Sequence, residues 1–70
     1  MKLVKTTKYH YIYELSEKEK NSVEVENGFN YVLFLKENYQ DFKPNFKLDI
    51  GYQDWETETL EEAIEFSLCY

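Results

Sequence analysis

Residues 49–70, DIGYQDWETETLEEAIEFSLCY, contain the helix around which the fold of this chain is expected to form. Thr59 and Glu62 have the spacing of a capping box, in which each side chain accepts a hydrogen bond from the backbone N–H of the other residue. Thr57 is the alternative cap. Residues at helical intervals then form one stripe, made of Leu60, Ala63, Ile64, Ser67 and Leu68. We therefore predict a helix that begins at this cap and packs through this stripe.

The same stretch carries the negative charge of the chain. It holds seven carboxylates and no lysine, whereas the other 48 residues hold seven carboxylates and all eight lysines. The formal net charge of −6 therefore comes from residues 49–70. The helix dipole stabilises acidic side chains in the first helical turn, which accounts for about half of these carboxylates. The other acidic residues, with the aromatic residues beside them, are not needed for helix stability and can form a surface with another role.

Alternating apolar and polar residues predict four strands before this helix. The strands are residues 3–15, the two arms of a hairpin across residues 22–37 with Asn27-Gly28 as its type I′ turn, and residues 46–53. Residues 16–21 and 37–45 are predicted to be loops. The predicted fold class is α+β, a four-stranded antiparallel sheet in the order β-β-β-β-α with one C-terminal helix packed on one face. Residues 1–70 are expected to form a single small domain.

Alternate strand residues predict which side of the sheet faces the helix. That core face comprises Tyr9, Tyr11, Tyr13, Val23, Val25, Phe29, Tyr31, Leu33, Leu35, Phe46, Leu48, Ile50 and Tyr52. The other side carries His10, Ile12, Val32 and Phe34, although a solvated sheet face is normally polar. Because exposed apolar patches tend to mark interaction sites, these four residues predict an interface for a partner or for a homodimer. The alternative is that the sheet curls, or that N-terminal residues or the 37–45 loop cover this side.

The composition argues against several classes of function. Cys69 is the only cysteine and His10 the only histidine, so no internal disulfide can form and a closed zinc site is not expected. His10 lies between two tyrosines and is expected to be a packing residue rather than a catalytic base. We predict no catalytic residue, no cofactor and no metal. The chain has no arginine, and its negative charge repels phosphate, so direct nucleic-acid binding is not expected.

The apolar runs of the chain are too short for a signal peptide or a membrane span. A free thiol at Cys69 suits a reducing compartment. We therefore expect a cytoplasmic protein with no membrane partner.

The remaining signal is a group of acidic and aromatic residues late in the chain. It predicts a partner-binding site made of Asp54, Trp55, Glu56, Glu58, Glu61, Glu62, Glu65 and Phe66. Aromatic side chains supply binding hot spots and charge steers encounter, so we expect a non-enzymatic module that engages a basic surface. A nucleic-acid-binding protein is the kind of partner that presents such a surface. For Trp55, the alternative is that its ring closes the end of the core.

In size, acidity and lack of catalytic residues, the chain resembles the small inhibitors that phages make against bacterial nucleases and CRISPR effectors. This resemblance of type implies a viral anti-CRISPR or other anti-defence protein, a nucleic-acid mimic that acts in the host cytoplasm. Two other classes stay open. A structural or assembly protein would homodimerise through the side that bears His10, Ile12, Val32 and Phe34. An enzyme or small-ligand binder would need a pocket between the sheet and the helix.

Overall fold

The computed structural model describes residues 1–22, 25 and 28–69. Its elements are β1 (Lys2–Thr6), β2 (His10–Glu14), α1 (Glu17–Lys20), β3 (Tyr31–Leu35), a short 3-10 helix (Lys36–Asn38), α2 (Phe46–Asp49), β4 (Trp55–Thr57) and α3 (Leu60–Cys69). The four strands form one antiparallel sheet in the order β1-β2-β3-β4, and α3 contacts β2, β3 and β4. The predicted α+β class, with a four-stranded antiparallel sheet and a C-terminal helix, is confirmed.

The predicted helix is α3, and its capping box is present. The Glu62 N–H donates to the Thr59 hydroxyl oxygen at 3.2 Å, and the Thr59 N–H donates to Glu62 Oε1 at 3.2 Å. Ala63 and Ser67 are buried against the sheet, and the Ser67 hydroxyl donates to the Ile64 carbonyl at 2.8 Å. Leu68 is the exception to the predicted stripe, because it is 75% exposed.

The single strand predicted for residues 3–15 is wrong, because a tight turn divides it into β1 and β2. The Thr7 N–H donates to the His10 carbonyl at 2.9 Å, and the His10 N–H donates back to the Thr7 hydroxyl at 3.2 Å. A threonine hydroxyl thus closes a turn that contains no glycine, proline or asparagine. Tyr9 falls in this turn and is exposed, which corrects its assignment to the core.

The strand predicted for residues 46–53 is also wrong. The Asn45 side chain accepts from the Lys47 N–H at 2.9 Å and caps α2, a single helical turn. Gly51 follows with a φ of 94°, a backbone conformation that residues with a Cβ rarely adopt. Leu48 and Tyr52, placed in the core by their alternation, are both largely exposed. The fourth strand is instead the three-residue β4.

The second arm of the predicted hairpin contains β3. β3 pairs with β2 on one edge and with β4 on the other. Gly28 has the positive φ, 95°, that the predicted turn requires, and Val25 lies in a bend. Val23, Glu24, Glu26 and Asn27, on which the rest of that prediction falls, lie outside the described residues.

Both faces of the sheet are covered by the chain itself. Ile12 pairs with Leu33 on the side of α3, and together with Ala63 they form the helix-side core. Tyr13 pairs with Val32 on the opposite side. That side forms a second core, made of Tyr13, Leu15, Val32, Phe34, Tyr39 and Ile50. Burying an aliphatic or phenylalanine side chain contributes about 1.5–3 kcal/mol, so each core contributes to folding.

The prediction that one side of the sheet is open is therefore wrong. His10, Ile12, Val32 and Phe34 are each at most 1% exposed. They do not share one side either, because His10 and Ile12 face α3 whereas Val32 and Phe34 face the second core. The cover over Val32 and Phe34 includes Tyr39, which lies in the 37–45 loop named as the alternative, and Ile50, which lies beyond that loop. Homodimerisation as such stays a prediction.

Among the described residues, no helix has the length and apolarity needed to cross a membrane.

Candidate protein-binding surface

Two aromatic rings form the most distinctive surface feature. Trp55 lies in β4 opposite Leu33, and Phe66 lies on the flank of α3 beside the helix-side core. The indole and phenyl planes differ by 4°, and their centroids are 5.1 Å apart. This is an offset stack, the parallel arrangement that aromatic pairs favour. Trp55 is nevertheless 50% exposed.

His10 supports this stack from inside the protein. Its ring is fully buried and meets the Phe66 ring edge-on, with centroids 5.9 Å apart and planes at 66°. Burial lowers the pKa of His10 below its ordinary value, and the Asp54 charge acts in the opposite direction. A buried imidazole with a lowered pKa is neutral at pH 7. This is the packing role predicted for His10.

Exposed carboxylates line the helix next to the stack. Glu61, Glu62 and Glu65 are exposed on α3, and Glu58 is exposed just before the helix begins. Glu62 precedes Phe66 by four residues, so the two side chains lie on the same side of α3. Glu61 and Glu65 share the outward side in the same way. The surface is therefore an aromatic stack with an acidic margin.

Two residues of the predicted site have other positions. Asp54 Oδ2 accepts from the Leu35 N–H at 2.6 Å, and the Asp54 N–H donates to the Leu33 carbonyl at 2.9 Å. Asp54 therefore joins β3 to the start of β4. Glu56 pairs with Val32, which places it on the side of the sheet away from α3. Of the eight predicted residues, the structure places Trp55 and Phe66 in contact, whereas Glu58, Glu61, Glu62 and Glu65 are exposed on α3 or just before it.

Sequence patterns missed several exposed apolar residues. Leu68 lies three residues after Glu65 and seven after Glu61, so it shares their outward side of α3. Phe42, Leu48 and Tyr52 are exposed in the segment between β3 and β4. Leu48 and Tyr52 alternate with polar residues, and Phe42 is aromatic, as core residues often are. No sequence signal therefore distinguishes these exposed residues from core residues. Only Leu68 extends the surface described above.

The grooves around α1 and α2 are separate from this surface. One, with a volume of about 430 Å³, is lined by Ser16, Lys18, Glu19, Ser22, Phe46 and Lys47. Beside it, the Met1 amino group donates to the Glu19 carboxylate. Within residues 1–22, 25 and 28–69, no group of three or more His, Cys, Asp or Glu side chains is arranged to hold a metal ion.

Comparison with protein-family models, with curated proteins and with solved structures finds no match to this chain.

Proposed function

We propose that the chain is a non-catalytic protein-binding module that engages a basic surface of its partner. The binding surface, called the acidic–aromatic surface below, comprises Trp55, Phe66, Glu58, Glu61, Glu62 and Glu65. One observation carries the proposal. A half-exposed indole is stacked on Phe66 beside exposed carboxylates, within a stretch that contains no lysine.

The aromatic and acidic parts of the surface have different roles in this proposal. Binding hot spots are enriched in tryptophan, and a ring already held by a neighbour loses little conformational freedom on binding. Trp55 is such a ring, because Phe66 holds one of its faces. The carboxylates raise the rate of encounter with a basic partner and disfavour acidic ones. The acidic groups therefore supply orientation and Trp55 supplies most of the affinity.

We propose further that the partner is a nucleic-acid-binding protein and that the chain inhibits it. Successive carboxylates along α3 would imitate a row of phosphates and occupy the groove that normally holds nucleic acid. The resemblance in size and acidity to the small phage inhibitors of nucleases and CRISPR effectors supports this role in a host cytoplasm. A binding module of this kind requires no cofactor.

Charge-matched variants test whether the surface or only the net charge matters. The surface variant combines Glu58→Gln, Glu61→Gln and Glu65→Gln, and leaves Glu62 in place because it caps α3. The control combines Glu17→Gln, Glu37→Gln and Asp41→Asn, which are exposed elsewhere. Both variants raise the net charge by the same amount. Each is immobilised and used to capture proteins from a bacterial lysate, with captured proteins identified by mass spectrometry.

The proposal predicts that the surface variant loses a partner that the wild type and the control variant both retain. An equal loss in both variants would show that net charge alone is responsible, and no loss in either would show that this surface is not used. Duplex DNA added to the captured complex tests the mimicry. If the partner's groove is occupied, DNA should displace the chain, whereas a complex indifferent to excess DNA contradicts mimicry and leaves protein binding intact.

A further inference from the structure

We propose that the acidic–aromatic surface selects arginine over lysine in its partner, with a guanidinium group stacked on the open face of Trp55. This inference depends on the proposed function and names the chemical group that the same surface recognises. It follows from the stack of the half-exposed Trp55 on Phe66 and from the exposed carboxylates of α3.

The open face of Trp55 suits a flat cation. Phe66 covers one indole face at an interplanar angle of 4°, while half of the Trp55 side chain remains exposed. A planar surface is therefore presented to solvent, and tryptophan is the aromatic residue that binds cations best. A guanidinium group is flat and weakly hydrated, so it can lie parallel to the indole. A lysine ammonium group is compact and strongly hydrated, and gains less from such a surface.

Glu62 is an exposed carboxylate on the same side of α3 as Phe66. Its Oε1 atom accepts from the Thr59 N–H at 3.2 Å and from the Thr59 hydroxyl at 3.0 Å, which fixes the carboxylate in the capping box. Its second oxygen, Oε2, takes no part in those bonds. Glu62 lies one helical turn before Phe66, on the same side of α3. The carboxylates of α3 therefore give this part of the surface the negative charge that attracts a guanidinium group.

The cations of the chain itself do not compete for this position. The sequence contains no arginine, and residues 49–70 contain no lysine. In the described part of the chain, lysine ammonium groups lie over tyrosine rings, Lys8 over Tyr9 at 5.2 Å and Lys36 over Tyr11 at 5.8 Å. The Trp55 face is therefore left for a cation from another molecule.

Two peptides of equal length and charge test the selection. Each alternates glycine and serine around four basic residues, all arginine in one peptide and all lysine in the other. Binding to the wild-type chain is measured by calorimetry and by the emission of Trp55, the only tryptophan. We expect the arginine peptide to bind about two- to fivefold more tightly, in line with a single cation–π contact at an exposed site. Trp55→Leu should remove that preference, and circular dichroism checks that the variant is folded. Trp55→Phe, which keeps a smaller aromatic face, should retain part of it.

Three results would overturn this inference. Equal affinity for the two peptides contradicts arginine selection but leaves binding to a basic partner in place. A preference that persists in a folded Trp55→Leu variant shows that the indole does not provide it. Binding of neither peptide contradicts the selection together with the proposed function.

Discussion

The carboxylate of Asp54 accepts a hydrogen bond from the backbone N–H of Leu35 at 2.6 Å, and so joins the last residue of β3 to the residue that precedes β4. This contact holds a strand of only three residues at the edge of the sheet. Trp55 is the first residue of that strand. The position of the indole on the surface therefore depends on a carboxylate that lies outside the binding surface.

Asp54→Ala should destabilise the fold, because the Leu35 N–H loses a charged acceptor. Hydrogen bonds to charged groups contribute about 1.5–3 kcal/mol, and we expect the lower end of that range since Asp54 is only half-buried. Asp54→Asn keeps an acceptor oxygen and should lose less. Urea unfolding measures both free energies, with the exposed Asp41→Ala as the control. Equal stability of Asp54→Ala and Asp41→Ala would contradict the structural role.

His10 should make the protein sensitive to mild acid. Its folded pKa is lowered by burial from the ordinary value of 6.5, so below that pH the unfolded chain takes up a proton that the folded chain does not. The free energy of unfolding should therefore be steady above about pH 6.5 and fall as the pH drops toward the folded pKa, by at most about 1.4 kcal/mol per pH unit. His10→Gln cannot titrate and should lose this decrease, whatever its effect on absolute stability. An identical pH dependence of urea unfolding in the variant would contradict the prediction.

Phe34→Glu should unfold the protein rather than release a monomer from a dimer. The Phe34 ring is fully buried and packs edge-on against Tyr13 and Tyr39. Truncating a buried phenylalanine costs about 3–5 kcal/mol, and a buried charge adds to this, whereas small domains have about 0.05–0.15 kcal/mol of stability per residue. Phe42→Glu, at an exposed ring, is the control and should remain folded by circular dichroism. A folded Phe34→Glu variant would show that the second core is open to solvent.

Tyr39 should titrate late in alkaline solution. Burial, followed by the charge of Asp49 and a hydrogen bond to it, raises the pKa of Tyr39 to about 12. The unfolded chain loses this proton near pH 10, so the stability contributed by the neutral phenol is present below pH 10 and is lost as the pH rises toward 12. The tyrosinate absorbance is followed as the pH is raised. The step at the highest pH should be missing in Tyr39→Phe and should occur at a lower pH in Asp49→Asn. An unchanged titration curve in Tyr39→Phe would contradict this.

The parts of the fold that sequence reasoning predicted are those with a strong local signal. The Thr59 and Glu62 cap defined the start of α3, and the apolar run from Tyr31 to Leu35 is β3. The turn at Thr7 was missed because a threonine hydroxyl, rather than glycine or asparagine, closes it. Phe46 and Leu48 alternate with polar residues as in a strand, but the Asn45 cap makes them helical.

The candidate site was predicted only where its residues carry a local sequence signal. Acidic residues on a helix can be read from spacing, so the carboxylates of α3 were found. The stack of Trp55 on Phe66 joins residues from two elements, and no periodicity reports it. Asp54 was assigned to the site because it precedes Trp55 in the sequence. Its carboxylate instead accepts from the Leu35 N–H, a tertiary contact that the sequence does not reveal. The predicted open face failed because α3 covers His10 and Ile12, and a distant segment that includes Tyr39 and Ile50 covers Val32 and Phe34.

The most direct test of the acidic–aromatic surface compares two exposed aromatic residues by isothermal titration calorimetry against the captured partner. Trp55→Ala removes the stacked anchor, and Tyr52→Ala removes an aromatic ring that lies outside the surface and is more exposed than Trp55. Loss of a hot spot costs at least about 2 kcal/mol, so Trp55→Ala should weaken binding roughly thirtyfold. Tyr52→Ala should change the affinity less than about twofold. Equal affinities for the two folded variants would contradict the account.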